Sequence, residues 1–384
     1  MPLSSTRPDY IPFNKPYLSG HELRYITEAA ALGKLSGNGV FTQRCQEFFQ
    51  RQYGVTRALL TTSGTAALEM AALLLDLQSG DEIILPSFTF TSTANAFLLR
   101  GATLIFADSS PQHPNVDPTE IARLITPRTK AIVLVHYAGV ACDIDAILHL
   151  SQQYNLVLIE DAAQAIESFH GNRRLGSIGQ LAAFSFHETK NIHSGEGGLL
   201  AINDSRFAAR AEILWEKGTN RAAFFRGETA KYQWVDIGSS FLPSELTAAF
   251  LWAQLEQLQP IKERRLAQWH VYKDAFTPLA SLGVGLPFIP SYATAHNGHI
   301  FYLLCRSVTE RAQLLEHLAQ QNILAVFHYQ PLHSSPYFQS SYTGPSLDQA
   351  SYYSQHLVRL PLYYELTAQQ QARVIKQVLA FFAF

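Results

Sequence analysis

From residue 57 the chain alternates short apolar runs with longer segments whose apolar positions recur at helical spacing. "RALLTT", "DEIILP", "TLIFAD", "KAIVLVHY" and "LVLIEDA" lack the polar alternation of a half-exposed strand. They predict strands buried on both faces of a mostly parallel sheet covered by helices. Between them "GTAALEMAALLLDL", "STANAFLLRG" and "DIDAILHLSQQYN" predict helices, and the glycine closing the second suits a helix end. "LAAFSF" and "GGLLAI" lie too close together for a helical crossover, so they predict neighbouring strands in a mixed sheet. A long helix over "SELTAAFLWAQLEQLQP" is expected to end at Pro260, with a smaller α+β unit after it. The expected division is a large domain over residues 1–255 and a small C-terminal domain over 256–384.

Composition narrows the class of protein. Of 384 residues, 47% are hydrophobic and 16% charged, which fits a folded chain with a sizeable core. The net charge of -2, with no basic run, offers nothing general to nucleic acid or an anionic membrane, so any anion site is local. Cys45, Cys142 and Cys305 are far apart and form neither a CxxC nor a metal-ligand spacing. They predict buried free thiols in a reducing compartment and no metal site. The opening "MPLSSTRPDYIPFNKP" has no apolar core and does not read as a signal peptide, and no run approaches a membrane span. A cytoplasmic setting is expected.

Three segments carry candidate chemistry. In "TTSGTAALEM" a strand ends in Ser63, Gly64 and Thr65 and a helix begins at once. Free N–H groups with hydroxyls beside them make an anion site, although a plain N-cap reads the same way. In "LVLIEDAAQAIES" Asp161 stands at the carboxyl end of a buried strand, where open α/β sheets bind ligands, and Gln164 follows three residues later. In "AAFSFHETKNIHSGEGGLLAIND" Ser185 and His187 precede Lys190, and glycines follow it. This is no P-loop, because the lysine precedes the glycines, and GxGxxG is absent. Taken singly, Lys190 reads as a solvated lysine. Taken together, an anion cradle, a buried acid and a sequestered amine are what pyridoxal 5'-phosphate requires. Its phosphate needs the helix start, its ring nitrogen a carboxylate, and its aldehyde an amine. An aromatic residue of "PSFTFTST" would cover the ring, Phe90 being preferred to Phe88.

The blocks "SGTAALEMAALLL", "GDEIILPSFTFTSTANAFLLRGA", "VHYAGVACDID", "IEDAAQ" and "FSFHETKN…GEGG" resemble, in order and spacing, the DegT/DnrJ/EryC1/StrS sugar aminotransferases. The resemblance spans nearly the whole chain. It implies the aspartate aminotransferase fold (fold type I of pyridoxal phosphate enzymes) in a homodimer with shared active sites. It implies Lys190 as Schiff-base lysine and proton shuttle, Asp161 as partner of the ring nitrogen, and Gln164 beside the ring hydroxyl. Ser63, Gly64, Thr65 and Ser185 would hold the phosphate.

A second set of blocks, "IPFNKP", "EKGTNRAAFFRG", "WVDIGSSFLPSEL", "AVFHYQPLH" and "LPLYYELT", resembles one branch of that family. That branch moves an amino group from L-glutamate to C4 of TDP-4-keto-6-deoxy-D-glucose, giving TDP-4-amino-4,6-dideoxy-D-galactose for surface polysaccharides such as enterobacterial common antigen. Many family members carry Gly-x-Asn-x-Arg where this chain has Gly238-Ser239-Ser240-Phe241-Leu242. Ser240 would donate one hydrogen bond in place of the asparagine that reaches the partner subunit's phosphate, but Leu242 replaces no charge. Arg221 and Arg226 are candidates for the nucleotide diphosphate, and His187, His328, Tyr329 and His333 for the sugar pocket. Three alternatives stay open. One is amination at C3 or on another nucleotide sugar. The others are a dehydratase, whose relatives carry histidine in place of the lysine, and a non-catalytic sensor.

Overall fold

The computed structural model describes residues 9–382. The first eight residues, part of the segment read against a signal peptide, lie outside that range. Eleven strands are present among the described residues. They are β1 (Arg57–Thr61), β2 (Glu82–Pro86), β3 (Thr103–Ala107), β4 (Thr129–Val135), β5 (Val157–Asp161), β6 (Phe169–His170), β7 (Arg173–Arg174), β8 (Leu181–Ser185), β9 (Gly198–Ile202), β10 (Tyr302–Leu304) and β11 (Leu357–Arg359). Seven form one sheet in the order β1-β9-β8-β5-β4-β2-β3. β9 pairs antiparallel with both β1 and β8, and every other pairing in the sheet is parallel.

The apolar runs are continuous because both faces of this sheet are covered. In β4, Ala131 and Val133 enter the core on one face, while Ile132 and Leu134 enter a second core on the other. Ile83 and Leu85 of β2 divide from Ile84 in the same way. A period-2 backbone between two helix layers therefore has no polar side to show. Cys45, Cys142 and Cys305 are all buried and unpaired.

A third core joins the helices Leu258–Phe276, Val308–Gln320 and Ala368–Phe381 to the β10–β11 pair. Ile11 belongs to this core and bridges to Ile323, so the N-terminal segment packs with the C-terminal region. The helix expected to run to Pro260 ends earlier. It spans Glu245–Glu256, and a second helix starts at Leu258 after Gln257. Pro260 lies in the first turn of that second helix, where a missing N–H breaks no intrahelical bond, so it does not stop the helix.

Candidate active site

The carboxyl ends of β1, β2, β4, β5 and β8 open into a cavity of about 550 Å³. Ser63, Gly64, Thr65, Phe90, Asp161, Gln164, Ser185, His187 and Lys190 line it from the sheet side, and His328, Tyr329 and Arg359 from the C-terminal region.

The helix Gly64–Leu74 begins directly after β1. Ser63 caps it by accepting the Ala66 N–H at 3.0 Å, and Thr65 bonds to Ser92 at 2.7 Å across to the next helix start. The first N–H groups of a helix have no carbonyl a turn behind them, so they face the cavity as donors. Two glycines let three backbones meet here. A Cβ on Gly198 would lie 2.2 Å from the Ser63 carbonyl oxygen, and one on Gly64 would lie 2.9 Å from Ser185 Cβ. Of the glycines after Lys190, Gly198 thus lets β9 lie against the helix start.

Asp161 ends β5 and is 6% exposed. Its Oδ2 accepts from Thr93 at 2.8 Å and its Oδ1 from the Ala163 N–H at 3.1 Å. Burial raises its pKa; the Thr93 and Ala163 bonds and the positive charge of Lys190 act the other way. A desolvated carboxylate with two donors stabilises a cationic N–H placed beside it. Gln164 Oε1 accepts from the Ala138 N–H at 2.7 Å and its Nε2 donates to the Tyr329 hydroxyl at 3.1 Å. Ala138 is a non-glycine residue at φ 59, so the turn holding Gln164 is strained, as ligand-clamping turns often are.

Lys190 sits in the connection between β8 and β9. Its N–H donates to the His187 carbonyl at 2.9 Å, and the loop is pinned by Phe186 and Gly197 at 2.8 Å. Burial brings its amine down to about 8, with Asp161 opposing and Arg359 assisting. An amine with that pKa has a substantial unprotonated fraction near neutral pH, as a nucleophile or proton carrier requires. Asn191, the next residue, bonds to the Asn297 carbonyl at 2.9 Å and to His299 at 2.8 Å, and Asn297 bonds in turn to the Gln164 carbonyl at 2.8 Å. The segment 297–299 therefore fixes the lysine loop and the Gln164 turn together.

Phe90 lines the cavity and is 57% exposed, whereas Phe88 is 1% exposed and packs against Tyr137, Tyr329 and Tyr353. Four residues singled out in the sequence lie elsewhere. His333 bonds to Ser87 at 2.7 Å outside the cavity. Arg221 and Arg226 line a separate recess of about 560 Å³ with Lys34, Arg57 and Glu212. Arg226 is ion-paired with Glu212 and Glu228, and Ser240 bridges to Glu216. Conversely, Thr93, His299 and Arg359 carried no sequence signal; only the fold brings them to the cavity.

The donors at the helix start, the buried carboxylate, the amine and Phe90 are the groups a phosphorylated pyridine aldehyde requires, so the residues present fit pyridoxal phosphate. With the two-sided, mostly parallel sheet, they define a fold-type-I aminotransferase. The chain belongs to the DegT/DnrJ/EryC1/StrS aminotransferase family, whose model matches residues 16–379. It is 32% identical over 381 residues to the spore coat polysaccharide biosynthesis protein SpsC of Bacillus subtilis (strain 168), covering 97% of each chain. It is similar to S. venezuelae DesV, solved in complex with a ketimine intermediate, at 30% identity and a TM-score of 0.88 over 97% of this chain and 98% of that one. The aminotransferase TlmJ from Streptoalloteichus hindustanus is 27% identical with a TM-score of 0.90, over 97% and 99%.

Proposed function

We propose that the chain transfers an amino group from L-glutamate to the C4 ketone of TDP-4-keto-6-deoxy-D-glucose, giving TDP-4-amino-4,6-dideoxy-D-galactose. Sugar aminotransferase activity is the common ground of its family and relatives, and pyridoxal 5'-phosphate is its cofactor. Among the described residues no helix is long and apolar enough to cross a membrane.

The observation that carries the reading is one cavity holding Lys190, Asp161 and a capped helix start together. When bound there, the cofactor supplies an aldehyde and an electron-withdrawing ring that acidifies a carbon-bound hydrogen. The helix start at Ser63, Gly64 and Thr65, with Ser185, would hold its phosphate. Asp161 would keep the ring nitrogen protonated, Gln164 would meet the ring hydroxyl, and Phe90 would pack against the ring. Lys190 takes the proton from the donor's α-carbon and later delivers one to the sugar carbon. A lysine at this position favours amination over the dehydration reading. His187, His328 and Tyr329 border the space left for the sugar.

In this reading the large and small domains divide near residue 255, the segment around Ile11 joining the small one. The second subunit supplies what one chain leaves open. Phe225, Trp234, Val235 and Ile237 are 72%, 83%, 51% and 50% exposed, an apolar surface that suits a second copy. Arg221 and Ser240 flank this surface, and in a dimer they would serve the neighbouring cavity. The test is incubation of purified protein with pyridoxal phosphate, L-glutamate and TDP-4-keto-6-deoxy-D-glucose, with NMR of the product. An axial C4 amine is expected; a C3 amine, or no transfer, overturns the assignment.

A further inference from the structure

His299 presents the cavity with a hydrogen-bond acceptor that the rest of the chain leaves unused. It stands just before β10, is 6% exposed, and lines the same space as Lys190 and Asp161. Its neighbours decide which ring nitrogen carries the proton. Asn191 donates its Nδ2 to the Asn297 carbonyl at 2.9 Å, so its Oδ1 is the atom turned to His299 Nδ1, at 2.8 Å. An amide oxygen only accepts, which puts the imidazole proton on Nδ1. Burial, then the charges of Lys190, Arg265 and Arg359 and the His328 ring, push the imidazole well below its usual pKa, so it holds no second proton. Nε2 is left as a bare lone pair, without a hydrogen-bond partner among the described residues.

The residue is also held from behind. Arg265, itself buried, donates to the Gly298 carbonyl at 3.2 Å and the His299 carbonyl at 2.8 Å, and the His299 N–H donates to Asn297 Oδ1 at 3.1 Å. A desolvated acceptor without a donor is costly, so the donor that reaches Nε2 matters. Lys190 borders the same space, and its amine also has no hydrogen-bond partner among the described residues. The stronger acceptors around it are engaged. Asp161 receives Thr93 and the Ala163 N–H, and His328 Nε2 receives Arg359 at 2.8 Å. The Tyr329 hydroxyl receives Gln164 at 3.1 Å, and Glu196 lies 3.6 Å from His187.

We propose that His299 Nε2 accepts a hydrogen bond from the Lys190 amine whenever that amine is free of the cofactor, and so positions the proton carrier through both half-reactions. This rests on the aminotransferase reading and deepens it, since it names a positioning residue that acts through Lys190. Each transfer releases Lys190, a long and flexible side chain, into a cavity that also holds the Arg359 cation. An amine has N–H groups in both of its protonation states. One of them stays on Nε2 while the nitrogen lone pair takes the proton and returns it. A neutral acceptor suits this task, because a carboxylate in its place would stabilise the ammonium and hold the proton there.

The experiment compares the wild type with H299N and H299Q, which separate the two ring nitrogens. The asparagine amide keeps a donor for Asn191 but has no acceptor at the Nε2 position. The glutamine oxygen restores that acceptor and gives up the bond to Asn191. Uptake of pyridoxal phosphate by the apoprotein, followed by absorbance across pH, reads Lys190 without any substrate. A bond to a neutral acceptor favours the charged amine, so its loss lowers the amine pKa further. In H299N the fall-off in rate expected below about 8 should move down by about one unit, making uptake at pH 7 about fivefold faster than in the wild type. Single-turnover absorbance of the holoenzyme with glutamate should nevertheless slow by about 100-fold in H299N, with a larger isotope effect from 2-deuterated glutamate. H299Q should stay within about fivefold of wild type in both measurements. An unmoved uptake profile in H299N overturns the proposal, as does an unslowed glutamate reaction in that variant. Equal losses in the two variants overturn it too, and an impaired H299Q beside a normal H299N makes His299 only a tether of the lysine loop. If H299Q fails to fold, the outcomes are read from H299N. Failure of the wild type to aminate the keto-sugar counts against the proposed reaction alone, because neither measurement involves the sugar.

Discussion

The two recesses of this chain are nearly equal in size and differ in what they lack. The cavity at the strand ends, about 550 Å³, has Asp161, Gln164, Lys190 and the 63–65 helix start fixed by bonds within one chain. The recess around Arg221 and Arg226, about 560 Å³, adjoins a segment whose aromatic residues stand in solvent. In the first, the rigid sheet places the groups that do chemistry. In the second, Arg226 is matched with Glu212 and Glu228, and what is missing is cover for Phe225 and Trp234. The groups of the first recess are thus held within one chain, whereas the exposed aromatic residues beside the second are what the proposed dimer would cover.

The largest way to break this contrast is Lys190→Ala. Overall transamination should fall by about 10⁴-fold, since the variant lacks the proton carrier, while the circular dichroism spectrum is retained. Residual activity within tenfold of wild type would place the chemistry elsewhere. Next is Trp234→Asp, which puts a charge on the exposed apolar surface. Sedimentation equilibrium should show self-association weakened about 30-fold or more, while cofactor uptake by the single chain persists. Unaltered association would remove this surface as the interface.

A finer test uses pH. The Lys190 amine lies near 8 and must be unprotonated to attack the aldehyde. The rate at which apoprotein takes up pyridoxal phosphate should therefore fall about tenfold per unit as pH drops below about 8, and level off above it. A rate still climbing through pH 10 would mean an unperturbed lysine. The smallest effect is expected for Ser63→Ala. Losing the bond to the Ala66 N–H should cost about 1 kcal/mol in urea denaturation of the apoprotein, besides weakening cofactor binding. No change in stability would show that the cap contributes nothing.

Much of this arrangement was legible in the residues. The strands, the helix start after Thr61 and the placing of Asp161 at a strand end follow from local patterning. The sequence favours Phe90 over Phe88 as the ring-covering aromatic, and of the two it is Phe90 that lines the cavity. Pro260 misled because a proline marks the end of one helix or the first turn of the next, and only the neighbouring backbone decides which. Thr93, His299 and Arg359 were not legible, since each comes from a separate part of the chain and stands in ordinary company there.

By itself the sequence determined a two-sided α/β sheet and its order of elements, because burial periodicity and capping are properties of short segments. Lys190 reads as a cofactor amine only in combination with Asp161 and the 63–65 helix start and through the family resemblance. Only the tertiary structure decided that the 297–299 segment clamps both the lysine loop and the Gln164 turn. It also brought Arg359 of β11 to the same cavity and turned Arg221 and Arg226 away from it. Pairing, desolvation and the direction of a side chain depend on contacts between residues tens to hundreds of positions apart, and no local pattern records them.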